Sequence, residues 1–447
     1  MLRILIILFS LISFLLSIYY NKNISYQYIY WLPFGLALFA FSERFTFPYL
    51  KKSYVYYIFY FQAIIRFAII PLGIAMGDRF FVGFTTLNGN LAILFMLIEL
   101  LCIWCVFVFQ NKKYRNLKKI NKVVLVKKNL WLYGLVSVMF LIVFSSGYLN
   151  KVNLIWNLSS YVEDAIEGNI EDVSSVGALL FGPLKVALIL IATSWVLSAN
   201  FTRKTKTVLL VGVMGGASIF IVGMSRLSII TFLLPFYFIL RTIQNEKSIK
   251  FINISLLALM IPVLLMTSIA KFSQGETKAS AETVLNTNSY NAYFAGSGNV
   301  AVGIDAYESM PRKNHFLFFI NDTFQNVPLL SKLTDNEYKS NYVFNNKVYG
   351  HSQWQTQIVP LTTAGLFHFG ILGVGFYSAF FISIAMFFER KALVESYLPY
   401  KYVFFAIMLS VSMVFMLNIG SMVVTIIRSL MFVYIPFFIA NKLNKIN

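Results

Sequence analysis

Five ionisable side chains stand inside stretches otherwise apolar enough to cross a bilayer: Arg66, Glu99, Lys185, Arg226 and Arg428. A charge at such a position is costly to bury, so each calls for a partner or a ligand. Arg66 and Glu99 lie on consecutive apolar runs of opposite direction. At about 1.5 Å of rise per residue they reach matching depth, which predicts an ion pair between them. Lys185 follows Gly182-Pro183, and a proline there opens a helix enough to predict a cavity beside it. Arg226 follows Gly223-Met224-Ser225 at the turn between two short apolar runs. Arg428 sits in the last run, below the tight turn Asn418-Ile419-Gly420-Ser421. Lys185, Arg226 and Arg428 share one half of the membrane, and no carboxylate of the neighbouring spans answers them. Arginine grips phosphate through its planar fork. A lipid-linked pyrophosphate, with its tail in the bilayer and its phosphates at this level, fits three such cations.

The other polar chemistry is concentrated in residues 271–360. Acids and bases balance there, so the segment carries no strong field and is not a nucleic-acid surface. All three histidines, His315, His351 and His368, fall in or just beyond it. His351, in Tyr349-Gly350-His351-Ser352-Gln353-Trp354, is the candidate general base, because imidazole titrates near neutral pH. Tyr293, Tyr349 and Trp354 offer aromatic faces and polar edges of the kind that hold sugar rings. Residues 315–333 repeat Phe316, Phe319, Ile320, Phe324 and Val327 at helical spacing, which predicts a helix on the membrane surface or capping the bundle. Cys102 and Cys105 form the one CxxC, but inside an apolar run they read as small core residues. With no Asp-x-Asp pattern in residues 271–360, neither a divalent metal nor any other cofactor is expected.

These residues need a membrane to position them. The chain has 447 residues, 58% of them hydrophobic and only 12% charged, which sets it apart from soluble domains. Apolar runs of about 20 residues fall near 2–20, 28–42, 54–76, 89–110, 130–147, 176–199, 208–223, 226–241, 251–270, 361–388, 401–418 and 422–441. This predicts an all-α polytopic fold of about twelve spans, with 208–241 either two spans or a re-entrant hairpin. It divides the chain into a bundle over 1–270, an extracytoplasmic loop over 271–360 and three closing helices over 361–447. The first run lacks a cleavage site and is expected to be retained. The net charge of +19 is explained by the positive-inside rule. Residues 111–129 are crowded with Lys and Arg and read as cytoplasmic, whereas 148–175 hold Glu163, Asp164, Glu167, Glu171 and Asp172. Both termini then fall in the cytoplasm and 271–360 outside it.

Three segments resemble those of bacterial O-antigen polymerases of the Wzy type, relatives of the GT-C O-antigen ligases. Gly223-Met224-Ser225-Arg226 looks like that family's Gly-Ser-Arg signature. Gly365-Leu366-Phe367-His368-Phe369-Gly370-Ile371-Leu372-Gly373 looks like its aromatic-Gly-x-x-Gly segment, and Ile427-Arg428-Ser429 its arginine-bearing last span. The resemblance implies a metal-independent glycosyltransferase of the inner membrane that polymerises undecaprenyl-pyrophosphate-linked oligosaccharides, often alongside a chain-length regulator. It implies pyrophosphate contacts at Arg226 and Arg428, to which the matching depth of Lys185 adds a third, and a base near His351, although the ligases' His-Asn pairing stands here as His351-Ser352. An O-antigen ligase and a lipid-linked oligosaccharide flippase are the alternatives.

Overall fold

The structure is a computed structural model. It describes the whole chain except residues 1, 78–87, 121–122, 128, 155–174, 223–225, 244–247, 257, 259–285, 311–312, 328–329, 351–356 and 447. It is helical, with one short strand pair among the described residues. In chain order the helices used below are α1 (Leu2–Tyr20), α2 (Trp31–Thr46), α3 (Tyr54–Ile64), α4 (Gly89–Arg115), α5 (Leu130–Ser145), α6 (Ser175–Ser198), α7 (Arg203–Ile219) and α8 (Arg226–Ile243). Then follow α9 (Thr287–Tyr293), α10 (Ser297–Glu308), α11 (His315–Phe324), α12 (Ser340–Tyr349), α13 (Leu361–Phe369), α14 (Phe376–Val394), α15 (Leu398–Ser412), α16 (Ile419–Ser429) and α17 (Ile435–Ile446).

Among the described residues, five helices are long and apolar enough to cross a membrane: Leu2–Tyr20, Tyr54–Ala75, Gly89–Arg115, Leu179–Ser198 and Ile419–Asn444. A bent pair, Leu361–Gly373 with Phe376–Val394, makes a sixth if it is one span. Other runs that the sequence marks as spans form shorter apolar helices, namely Leu130–Ser145, Phe232–Ile243 and Leu398–Ser412. These helices suit a bilayer: α1 turns Leu5, Leu8, Ile12 and Leu15 outward and keeps Ser10, Ser13 and Ser17 buried. Small hydroxylated residues allow close helix packing without leaving polar groups in lipid.

The chain divides into two compact units. Unit 1 comprises Met1–Leu117, Leu285–Glu389 and Ser410–Thr425. Here α3 continues through a π-helical turn at Ile65–Ile69 into a last helical turn, Ile70–Ala75. The Ser13 hydroxyl donates to the Ala68 carbonyl of that π turn at 2.8 Å. The segment α10 is buried along most of its length and packs against α4, α12 and α13. Much of the polar segment is therefore core. Buried amides close on one another there: Asn291 Nδ2 donates to Asn299 Oδ1 at 2.8 Å, and Asn345 Nδ2 donates to Asn341 Oδ1 at 2.8 Å.

The continuous span expected over 361–388 is broken. Its two halves meet at 108°. Gly370 and Gly375 take φ values of +63° and +78°, left-handed conformations that side chains disfavour. A Cβ on Gly365 would collide with the Gly373 carbonyl, so the chain folds backbone against backbone here.

Unit 2 comprises Lys118–Val284, Arg390–Leu409 and Ile426–Asn447. Its helices α5, α6 and α7 pack in sequence, and the π turn Leu430–Tyr434 packs on α6. Strands Val152–Leu154 and Phe220–Val222 pair antiparallel, with Val152 opposite Val222. Lys401 is buried and its ammonium donates to the carbonyls of Ile120 and Glu395, both at 3.0 Å.

Candidate functional site

In unit 2, helix α6 runs through Pro183 without ending, which places Lys185 half a turn beyond it on a continuous helix. Lys185 lines a cavity of about 800 Å³ whose other walls include Phe140, Phe181, Leu184, Leu188, Gly212 and Gly216. Its ammonium stands 4.4 Å from the centre of the Phe232 ring, a cation–π distance. A single cation in a wall of this kind can orient one anionic group while the remainder accepts hydrocarbon.

Arg428 belongs to the same unit. Its Nε is buried and lacks a hydrogen-bond partner. The π turn just after Arg428 packs on α6, the helix that carries Lys185. Arg226 opens α8, but its side chain is not among those described, and residues 223–225 lie outside the described residues altogether.

Unit 1 holds a different arrangement. Arg66 and Glu99 are both fully buried, and Arg66 Nη2 lies 2.8 Å from Glu99 Oε2. The ion pair expected from matched depth is present. Two hydroxyls complete it: Arg66 Nη2 donates to Thr362 Oγ1 at 3.3 Å, and the Ser378 hydroxyl donates to Glu99. The guanidinium lies over the Phe415 ring at 4.1 Å, while its Nε and Nη1 have no hydrogen-bond partner.

A second buried cluster joins three segments. His368 Nε2 is 2.7 Å from Asp322 Oδ2, and His368 Nδ1 is 2.7 Å from the Tyr377 hydroxyl. Beside an ionised carboxylate the proton sits on Nε2, so Nδ1 accepts from the tyrosine O–H. The other Asp322 oxygen accepts from the Ser340 backbone N–H at 2.9 Å. All four groups are thereby satisfied, and the cluster ties α11 and the start of α12 to both halves of the bent helix pair. Sequence reasoning passed over Asp322, which belongs to a second face of α11, and Tyr377, which lies on α14. Phe318, Asn321 and Asp322 point inward, while Phe316 is 67% exposed. The signal was the Phe318, Asn321, Asp322 spacing, an alternative helical face with a carboxylate on it.

Of the remaining candidates, His351 and Trp354 lie outside the described residues. Tyr293 is half-buried at the end of α9. The Tyr349 hydroxyl accepts from Gln357 Nε2 at 3.2 Å. His315 donates from Nδ1 to the Phe367 carbonyl at 2.8 Å, a tie between α11 and α13. Cys102 and Cys105 are free thiols, both half-buried. Among the described residues no group of His, Cys, Asp and Glu could hold a metal ion. Comparison with protein-family models, with curated proteins and with solved structures returns no match.

Proposed function

We propose that this chain is a membrane glycosyltransferase that polymerises undecaprenyl-pyrophosphate-linked oligosaccharide repeat units at the outer face of the bacterial inner membrane. The observation that carries this reading is the setting of two cations in unit 2. Lys185 lines an otherwise apolar cavity, and Arg428 keeps a buried donor without a partner. Such groups suit a lipid phosphate, whose charge needs donors and whose tail needs hydrocarbon surroundings. The short motifs around Arg226, Gly365–Gly373 and Arg428 support the same class.

In the proposed reaction an acceptor sugar hydroxyl attacks the anomeric carbon of the lipid-linked chain. The new C–O bond forms as the bond to pyrophosphate breaks, and undecaprenyl pyrophosphate leaves with the electron pair. The hydroxyl proton passes to a base, for which His351 is the candidate. Charge grows on the departing pyrophosphate, so cations positioned there lower the barrier most. In this reading Arg226, Arg428 and Lys185 bind the pyrophosphate, and Tyr293, Tyr349 and Trp354 contact sugar. The reading also takes the chain to have about twelve spans in a GT-C-like arrangement, with both termini cytoplasmic and residues 271–360 outside. A chain-length regulator is its expected partner.

Purified protein given lipid-linked repeat units should produce a ladder of polymer. Arg226→Ala and Arg428→Ala should abolish the ladder while the protein level holds. Wild-type chain length in either variant would remove the phosphate clamp from the mechanism. In a deletion strain, single repeat units should remain on the surface acceptor. Loss of all attached polysaccharide would indicate a ligase, and accumulation of repeat units on the cytoplasmic leaflet a flippase.

A further inference from the structure

We infer that a small polar cavity in unit 1 seats the phosphoethanolamine headgroup of a phospholipid, with its ammonium against Glu43 and its phosphate between Arg3 and Lys51. The inference stands apart from the polymerase reading and uses none of the residues assigned there. The cavity holds about 200 Å³, and its walls include Leu2, Arg3, Ile4, Glu43, Lys51 and Tyr56. That is several times the ~30 Å³ of a water molecule and short of the ~300 Å³ at which drug-sized sites begin. A polar headgroup is of this scale. The first turn of α1, the last turn of α2 and the first turn of α3 bring these residues together.

Glu43 is the group that calls for a ligand. It is fully buried, and its Oε2 accepts from the Tyr56 hydroxyl at 2.5 Å and the Tyr60 hydroxyl at 3.5 Å. Its Oε1 has no hydrogen-bond partner: the Lys51 ammonium stands 3.6 Å away, beyond hydrogen-bond reach. A buried carboxylate oxygen left without a donor is costly. A ligand ammonium removes that cost through charge-assisted hydrogen bonds, whereas the carboxylate repels an anion set in the same place. The two cations of the cavity wall suit the other end of a zwitterion. The Lys51 side chain is 53% exposed and Arg3 is half-buried, so both can meet an oxyanion at the rim. The Tyr57 hydroxyl donates to the Lys51 carbonyl at 3.0 Å and steadies the turn that carries Lys51. A lipid, rather than a soluble zwitterion, follows from what adjoins the cavity. Leu2 and Ile4 are exposed, and α1 continues their apolar surface through Leu5, Leu8 and Ile12, along which acyl chains can lie. Choline fits poorly, because its quaternary nitrogen has no N–H to offer Glu43 Oε1.

The test titrates the delipidated full chain in detergent with phosphatidylethanolamine, phosphatidylcholine and phosphatidylglycerol, and reads bound lipid by native mass spectrometry. One phosphatidylethanolamine should be held at least about tenfold more tightly than either other lipid, the scale of a hydrogen bond to a charged group. Glu43→Gln should erase that preference. Arg3→Gln/Lys51→Gln should weaken all three lipids at this site yet leave phosphatidylethanolamine preferred. Neither side chain of that pair is buried, so its melting temperature should hold, and it keeps the test open if Glu43→Gln, which also alters the partner of Tyr56, fails to fold. Equal retention of the three lipids would mean annular lipid only and would overturn the inference. A preference that survives Glu43→Gln, or that disappears in Arg3→Gln/Lys51→Gln, would overturn it as well. Displacement of the lipid by soluble phosphoethanolamine at equal concentration would assign the cavity to the free zwitterion and remove the lipid. The readout is lipid retention, so absence of a polymer ladder would leave the result untouched.

Discussion

The two units treat charge in different ways. In unit 1 the buried carboxylates are met by short, directed donors. Glu389 accepts from the hydroxyls of Ser53 and Tyr114, both at 2.5 Å, and from the Tyr54 backbone N–H. Glu43 takes the Tyr56 hydroxyl at 2.5 Å, Glu99 has Arg66 and Ser378, and Asp322 has His368 and Ser340. These groups are spent on joining one segment to another. In unit 2, Lys185 looks onto an aromatic ring and a cavity, and Arg428 holds a donor in reserve. Arg66 also keeps Nε and Nη1 without hydrogen-bond partners, so the contrast lies in the setting: Arg66 faces a carboxylate, whereas Lys185 faces an aromatic ring and a cavity.

Removing one partner of a pair should expose that contrast most strongly. Arg66→Ala leaves Glu99 buried without its cation and should lower stability by about 3–5 kcal/mol, whereas Arg66→Met with Glu99→Met should recover most of the loss. Thermal unfolding in detergent measures both; a mild single variant would mean that water reaches the pair. Next in size, Asp322→Ala strips partners from His368 and the Ser340 N–H and should cost about 1–3 kcal/mol for each buried group left unsatisfied. Gly375→Ala forces a side chain into a left-handed conformation and should cost about 1–2 kcal/mol in the same assay. Lys185→Met should cost less than Arg66→Ala: a methionine still packs on the Phe232 ring and keeps the cavity wall filled. A large loss there would show that Lys185 serves the fold.

The smallest effect concerns Asp305. Burial holds its carboxyl above the usual carboxylate value, with the Asn88 side chain, whose Nδ2 donates at 2.7 Å, pulling partly the other way. A raised acid binds its proton more tightly in the folded state. Its contribution to stability is therefore full below the unfolded value near pH 4 and lost as pH rises through the folded value. Asp305→Asn stands in for the protonated acid at every pH, so wild type and variant should agree at low pH and diverge toward neutrality, where ionising the buried carboxyl costs the wild type stability. Parallel melting curves at all pH values would show that Asp305 titrates like a solvated carboxylate.

How far the sequence revealed these features depended on their range. Arg66 and Glu99 lie on neighbouring spans, and counting residues from each end was enough to align them. The cavity at Lys185 was signalled by the adjacent Pro183, though helix α6 is not interrupted there. His368 and Asp322 are 46 residues apart, and nothing in the spacing of either anticipates the other. The 108° break lay in plain view as Gly370, Gly373 and Gly375, but high hydropathy hid it, because an apolar run reads the same whether it crosses or turns back. The burial of α10 was obscured by its asparagines and glycines, since buried amides that satisfy one another carry the composition of a loop.

The π turn at Ile65–Ile69 fixes helical phase. It inserts one residue between Arg66, which faces Glu99, and Gly73, on which an added Cβ would collide with Thr287. An α-helix advances about 100° per residue. Restoring regular α geometry by deleting one residue would thus leave hydropathy and length almost unchanged, yet rotate Ile70 away from Gly296 and Gly73 away from Thr287. In this span the number of residues is therefore as much a part of the specification as their identity.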